Sequence, residues 1–300
     1  MDHRRRPTVL VTGGSSRIGR AVVAHLGSSP QLIFLLNRGP APVTGPHVRT
    51  LTGGLAAASH HTDVIQSADL VLHMAGVSHA TSDEAYVAVN ERGTEALLNA
   101  CRRDQPVIYL STRCAGSAGG AYGQSKYRAE QAVVASGRPY VIIRPAEVYG
   151  THSGEGIDAL IDLALRWGVL LDFRWQPEIR YSPVSCDELG RFIAGVVTNA
   201  VSSDLSNATK TYTVCNNRSY TARDIQASME RGAGRRTVRL PVPIGVLKAL
   251  ASLPIPLPFA RDQIDRLIMV KPDDNGPARR DYSFAPRCFL EYVRRDLRRV

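Results

Sequence analysis

Apolar residues in the first half of this chain gather in short unbroken runs, separated by stretches with apolar side chains at helical spacing. Thr8–Val11, Gln31–Leu36, Ala68–Met74, Pro106–Leu110 and Tyr140–Ile143 are dominated by aliphatic residues and have the length of strands. Arg20–Leu26, Glu84–Arg103 and the stretch around Tyr122 have helical spacing. Strands that are apolar throughout are covered on both faces, and their alternation with helices predicts a parallel, doubly wound α/β sheet over residues 1–150. After residue 150 the pattern loosens. Ile157–Arg166, Asp187–Thr198 and Thr221–Glu230, the last capped by Thr221, are spaced as helices, and Thr211–Val214 as a strand. Residues 151–300 are expected to form a smaller substrate lobe interleaved with the sheet, with 180–200 returning to it. Pro241–Phe259 is the most apolar segment, but its prolines and Lys248 predict a packed helix rather than a membrane span.

The first turn carries chemistry. Thr12–Gly19, T-G-G-S-S-R-I-G, lies between a strand and a helix, the phosphate-binding entry of a Rossmann-type dinucleotide fold. Gly13 and Gly19 let the backbone approach a pyrophosphate, and the helix offers it unpaired N–H groups. The middle glycine of that pattern is missing, and Ser16 or Arg17 stands there, depending on register. Ser16 could offer a hydroxyl to a phosphate oxygen and Arg17 a guanidinium. The second strand ends at Asn37-Arg38, with no acidic residue to hold a ribose 2′-hydroxyl. Arg38 with Arg17 suits the 2′-phosphate of NADP; a solvated turn arginine is the other reading of Arg38. The expected cofactor is NADP(H) or NAD(H), with a lean to NADP(H).

Ala121–Glu130 contains Tyr122 and Lys126, which a helix places on one face, a turn apart. A free phenol has a pKa of about 10, and a neighbouring ammonium brings the phenolate closer to neutral pH. The chain holds Lys126, Lys210, Lys248 and Lys271 as its only lysines among 37 basic residues, so arginine supplies nearly all its positive charge. Ser111-Thr112 ends a strand, where open α/β sheets place ligand-binding groups.

The net charge of +10 and pI near 9.7 fit an anionic small molecule, nucleic acid or a membrane surface. No nucleic-acid signature accompanies the charge, whose densest runs, Arg4–Arg6 and Arg294–Arg299, sit at the ends. The five cysteines are scattered and form no C-x-x-C pair, which argues against a disulfide framework or a metal site and for the cytoplasm. Neither a signal peptide nor a membrane partner is expected.

In order along the chain, these segments resemble the extended short-chain dehydrogenase/reductase family, in its NAD-dependent epimerase/dehydratase branch. Thr12–Gly19 resembles T-G-x-x-G-x-x-G, Asp63-Val64 the adenine-side D-[LV], and His73–Gly76 the H-x-A-[AG] strand end. Asn90–Thr94 resembles N-x-x-G-T, Ser111-Thr112 the S-[ST] pair, Tyr122–Lys126 Y-x-x-x-K, and Arg144–Gly150 R-P-x-x-V-Y-G. Arg180–Leu189 and Phe284–Arg287 resemble substrate-side motifs of the same branch.

The resemblance implies that Tyr122 is the general acid/base, that Lys126 lowers its pKa and holds the nicotinamide ribose, and that Thr112 positions the reacting oxygen. It implies a cofactor site of Gly13, Ser15, Ser16, Arg17, Ile18, Gly19, Asn37, Arg38, Asp63, Val64, Met74, Ala75, Gly76, Asn90, Pro145 and Val148, completed by Tyr122 and Lys126. Ser78, Thr112, Glu147 and Arg180 face the substrate. The implied reaction is hydride transfer at a sugar carbon, C4, of a nucleoside-diphosphate sugar, by an epimerase or a ketoreductase, in a homodimer. Glu147 departs from the pattern, because a carboxylate there repels a phosphate unless Arg180 or another arginine compensates. The segment Arg113–Ala121 is also short. These departures keep open an NADPH-dependent reductase of a non-sugar carbonyl compound and, as a third reading, a non-catalytic NAD(P)-binding sensor.

Overall fold

A computed structural model of the chain describes residues 6–37, 39–80, 82–150, 156–174, 178–202, 209–233, 237–251, 261–269, 271 and 273–296. Arg38 lies outside the described residues, as do most of the two terminal arginine runs and 252–259 of the apolar segment.

Strand β1 (Thr8–Thr12) leads into helix α1 (Arg17–Leu26), then β2 (Gln31–Leu36) and β3 (Val48–Thr52). A 3₁₀ segment, Leu55–His61, and α2 (Thr62–Gln66) precede β4 (Leu70–His73). Helix α3 (Asp83–Tyr86) passes through a π-helical segment, Val87–Arg92, into α4 (Gly93–Ala100). There follow β5 (Val107–Leu110), α5 (Gly120–Ala135), β6 (Tyr140–Pro145) and β7 (Val148–Tyr149). Next come α6 (Gly156–Trp167), β8 (Val169–Arg174), β9 (Val184–Ser185), α7 (Cys186–Ser202) and β10 (Thr209–Val214). The chain continues with α8 (Ala222–Ala233), β11 (Val238–Pro243), α9 (Ile244–Ala251), α10 (Arg261–Ile268), α11 (Gly276–Tyr282) and α12 (Phe289–Asp296).

Seven strands form the main sheet in the order β10-β6-β5-β4-β1-β2-β3. From β6 to β3 every neighbour is parallel, the architecture the aliphatic runs predict. The order reverses between β1 and β4, which places the ends of those two strands at the topological switch point. The chain divides into two units. The first holds residues 1–117, 121–144 and 187–212, and the second holds 118–120, 145–186 and 213–300. The first unit's core includes Leu10, Ile33, Val71, Leu97, Tyr109, Val133 and Ile142; the second unit's includes Tyr149, Ile161, Leu170, Ile225 and Phe289.

Several expectations change in detail. Strand β3 escapes the apolar pattern because only Leu51 of its five residues is buried. Asp63-Val64 lies in α2, the helix that leads into β4. The helix expected over Glu84–Arg103 is divided by its π-helical middle and ends at Ala100. Pro241–Phe259 begins as β11 before turning into α9. Thr221 does cap α8, because its Oγ1 accepts from the Asp224 N–H while the Asp224 carboxylate accepts from the Thr221 N–H.

Candidate active site

The glycine turn is built by contact between strand ends. Gly13 has φ of 71°, and a Cβ there would lie 2.5 Å from the Ala75 nitrogen and the Met74 carbonyl carbon. A Cβ on Gly19 would lie 2.3 Å from the Gly13 oxygen. Both positions therefore require glycine. Ser16, at the missing middle glycine, needs no such freedom: with φ of −66° and ψ of 165° it is the N-cap of α1, its Oγ accepting from the Gly19 N–H at 3.0 Å. The N–H groups of Arg17 and Ile18, the first two of the helix, have no intrahelical acceptor by geometry. Ser15 contributes its carbonyl to the Arg20 guanidinium at 3.1 Å. Arg17 and Asn37 are exposed, Asp63 is exposed in α2, and Val64 packs partly buried against the core.

A directed chain of hydrogen bonds runs below this turn. Thr94 Oγ1 donates to the Asn90 carbonyl at 2.6 Å, so it accepts from His73 Nε2 at 2.9 Å. His73 Nδ1 is then the acceptor for Thr12 Oγ1 at 2.7 Å, and Thr12 Oγ1 in turn accepts from the Ala75 N–H. This fixes a neutral imidazole with its proton on Nε2. Complete burial, helped by the charge of Lys126, pushes the His73 pKa down to about 3. The Asn90 amide braces the same region, accepting from Val77 N–H and donating to Val77 O and to Ser125 Oγ. Ser125 Oγ donates to the Tyr122 carbonyl at 2.8 Å.

Helix α5 presents Tyr122 and Lys126 as expected. Lys126 is 4% exposed, donates to the Leu110 carbonyl at 2.7 Å and lies 4.2 Å over the Tyr109 ring. Burial pushes its pKa down to about 7, against an upward pull from Glu130. Glu130, 1% exposed, takes a two-pronged grip from Arg144. Gly76 opens the space beside these groups, since a Cβ on it would lie 2.9 Å from Asn90 Oδ1 and 3.6 Å from Lys126 Nζ. Thr112, at the end of β5, is held by the Cys114 N–H on its Oγ1, and the buried Ser111 Oγ next to it has no hydrogen-bond partner among the described residues. The Tyr122 ring lies 5.8 Å from that of Tyr86, whose hydroxyl donates to the Ser78 carbonyl.

The remaining expected residues belong to the second unit. Pro145 is buried, and Val148 pairs with Val184. Arg180 is exposed and engages Glu178 and Ser219. A cation that does compensate Glu147 is Lys271, 8% exposed and 3.1 Å from its carboxylate. Burial, with Glu147 and Asp172 adding to it, raises the Tyr181 phenol above its ordinary range. Sequence reasoning missed Lys271, Glu130, Tyr109, Tyr86 and Ser125. Glu130 alone had a local signal, standing four residues beyond Lys126.

The donor set fits a nicotinamide dinucleotide. Two glycines that a Cβ would block, free helix N–H groups, and a cradle of Gly76, Asn90 and Lys126 are what its phosphates and ribose need. The sequence pattern of the NAD dependent epimerase/dehydratase family matches residues 9–166, more than half the chain. The chain belongs to this family. The pattern of the RmlD substrate binding domain matches residues 117–254. Among curated relatives, a ceramide reductase of Caulobacter vibrioides is 29% identical over 172 residues, 55% of this chain and 53% of that protein. A UDP-2-acetamido-2,6-beta-L-arabino-hexul-4-ose reductase of Pseudomonas aeruginosa is 32% identical over 152 residues, 48% of this chain and 37% of that protein. The family member described here thus spans about half or less of the length of each. Among solved structures, a UDP-glucuronic acid 4-epimerase from Bacillus cereus in complex with NAD superposes with a TM-score of 0.69 at 16% identity, over 96% of this chain and 94% of that one. A dTDP-glucose 4,6-dehydratase from Streptomyces venezuelae with NAD bound gives 0.71 at 20% identity, over 97% and 96%. At such identities these likenesses establish the fold.

Proposed function

We propose that this family member is an NAD(P)-dependent oxidoreductase that reduces a keto group, at C4, of a nucleoside-diphosphate sugar, with Tyr122 as the proton donor. The observation that carries the reading is Lys126, a buried ammonium anchored on the Leu110 carbonyl one turn from Tyr122. A dinucleotide, when bound, supplies the hydride. The chain supplies the rest. Gly13, Gly19 and the opening N–H groups of α1 cradle its phosphates, while Asn90 and Lys126 hold the ribose beside Gly76. The Tyr122 hydroxyl passes its proton to the carbonyl oxygen, which Thr112 Oγ1 positions, and the Lys126 charge eases formation of the phenolate. The absence of an acidic residue at 37–38 and the exposed Arg17 favour NADPH. A reductase rather than an epimerase is favoured by the named activities of the two curated relatives. Exposed Tyr127 and Val134 on α5 support the homodimer.

A second reading, reduction of a ketone on a non-sugar, lipid-like molecule, is favoured by the Glu147–Lys271 pair, which puts a neutralised carboxylate where a phosphate-binding group is expected, and by the ceramide reductase likeness. The deciding experiment follows NADPH oxidation with a nucleotide 4-keto-sugar and with a long-chain ketone. Turnover of the first supports the sugar reading, and turnover of the second alone replaces it. Tyr122→Phe should lower kcat about 10²–10⁴-fold with NADPH affinity unchanged in a fluorescence titration. Unchanged turnover in that variant would remove Tyr122 from the chemistry.

A further inference from the structure

Strands β8 and β11 form a two-stranded parallel ribbon in the second unit. Parallel pairing brings Cα partners to the same side. Val169 faces the same way as Val238, Leu171 as Leu240, and Phe173 as Val242. All six are apolar and none is buried. The opposite face carries Leu170, 1% exposed in the unit's core, and the Asp172 carboxylate, which pairs with Arg174 and Arg239. Parallel strands are normally covered on both faces, so an open ribbon with a wholly apolar face calls for a partner. Six large apolar side chains stand exposed among the described residues, and four of them, Trp167, Val238, Leu240 and Val246, lie on this ribbon or on the helices that adjoin it in sequence.

Charge discriminates between partners. Arg166 precedes the ribbon and is exposed, and Lys248 on α9 is 38% exposed. Asp172 is already paired to two arginines and Asp265 faces Lys248. The whole chain carries +10, which draws in an anionic surface. Trp167, 75% exposed beside Arg166, adds the indole-and-cation pairing that suits the boundary between headgroups and acyl chains. We propose that this apolar face beds into the surface of a bilayer containing anionic phospholipid, with the flanking cations on the headgroups. No helix among the described residues is long and apolar enough to cross a membrane, so the contact is peripheral.

The test mixes the full chain with vesicles of phosphatidylcholine alone, or with added phosphatidylglycerol, and reads the bound fraction by sedimentation. The parent should bind the anionic vesicles, and Leu240→Glu and Trp167→Ser should each bind on the order of tenfold more weakly. Both positions are exposed, so circular dichroism and melting should match the parent. No binding by the parent, equal binding to both vesicle types, or undiminished binding by both variants overturns the proposal. A concentration-dependent dimer that Leu240→Glu abolishes also overturns it, by assigning the face to a second copy.

Discussion

At Lys126, burial and charge pull in opposite directions. Loss of water pushes its pKa down to about 7, while Glu130, four residues along α5, pulls it up. Arg144 grips that carboxylate from β6. Tyr109 and His73 also lie within reach of the ammonium, and His73 stays neutral. In the proposed mechanism the charged form of Lys126 assists Tyr122, so kcat/KM for reduction should fall as pH rises through about 7. Glu130→Gln removes the upward pull, and its falling limb should sit at lower pH than the parent's. A full pH profile of both proteins checks this, and an unmoved limb would leave Glu130 a merely structural partner of Arg144. That Tyr122 and Lys126 share one helix was legible in the sequence, because they stand four residues apart in a stretch of helical spacing. The grip of Arg144 on Glu130 was not, because the two lie 14 positions apart on different elements.

At the scale of elements, helix α7 reaches α1 through Gly190. A Cβ there would lie 2.8 Å from the Ala21 Cβ and 2.9 Å from its carbonyl carbon. Backbone cannot yield as a flexible side chain does, so Gly190→Ala should cost about 1–3 kcal/mol, read as a lower urea midpoint. The aliphatic strands β1, β2, β4, β5 and β6 could be read from sequence because burial on both faces leaves an unbroken apolar run. Strand β3 could not, since only Leu51 is buried. The π-helical segment Val87–Arg92 was equally hidden, because apolar spacing records which side is covered and not how the backbone is wound. Where the sequence pattern lacks its middle glycine, the structure uses Ser16 as a helix cap.

Across the whole molecule, the +10 charge separates the two substrate readings. With dinucleotide saturating, the KM for a nucleotide sugar should rise several-fold between about 0.05 and 0.5 M NaCl, as screening shortens the reach of the field. The KM for a neutral ketone should hold steady, and steady-state kinetics in the two salts distinguish them. The hydrogen bonds from Ala75 through Thr12 and His73 to Thr94 and Asn90, and from Asn90 through Ser125 to the Tyr122 carbonyl, all point one way, donor to acceptor. Deuterium should therefore find one door here rather than two. The amides of Ala75 and Val77 should exchange in step, and Thr94→Val, by stranding the His73 proton, should quicken both at once even though only one of them hangs from Thr12.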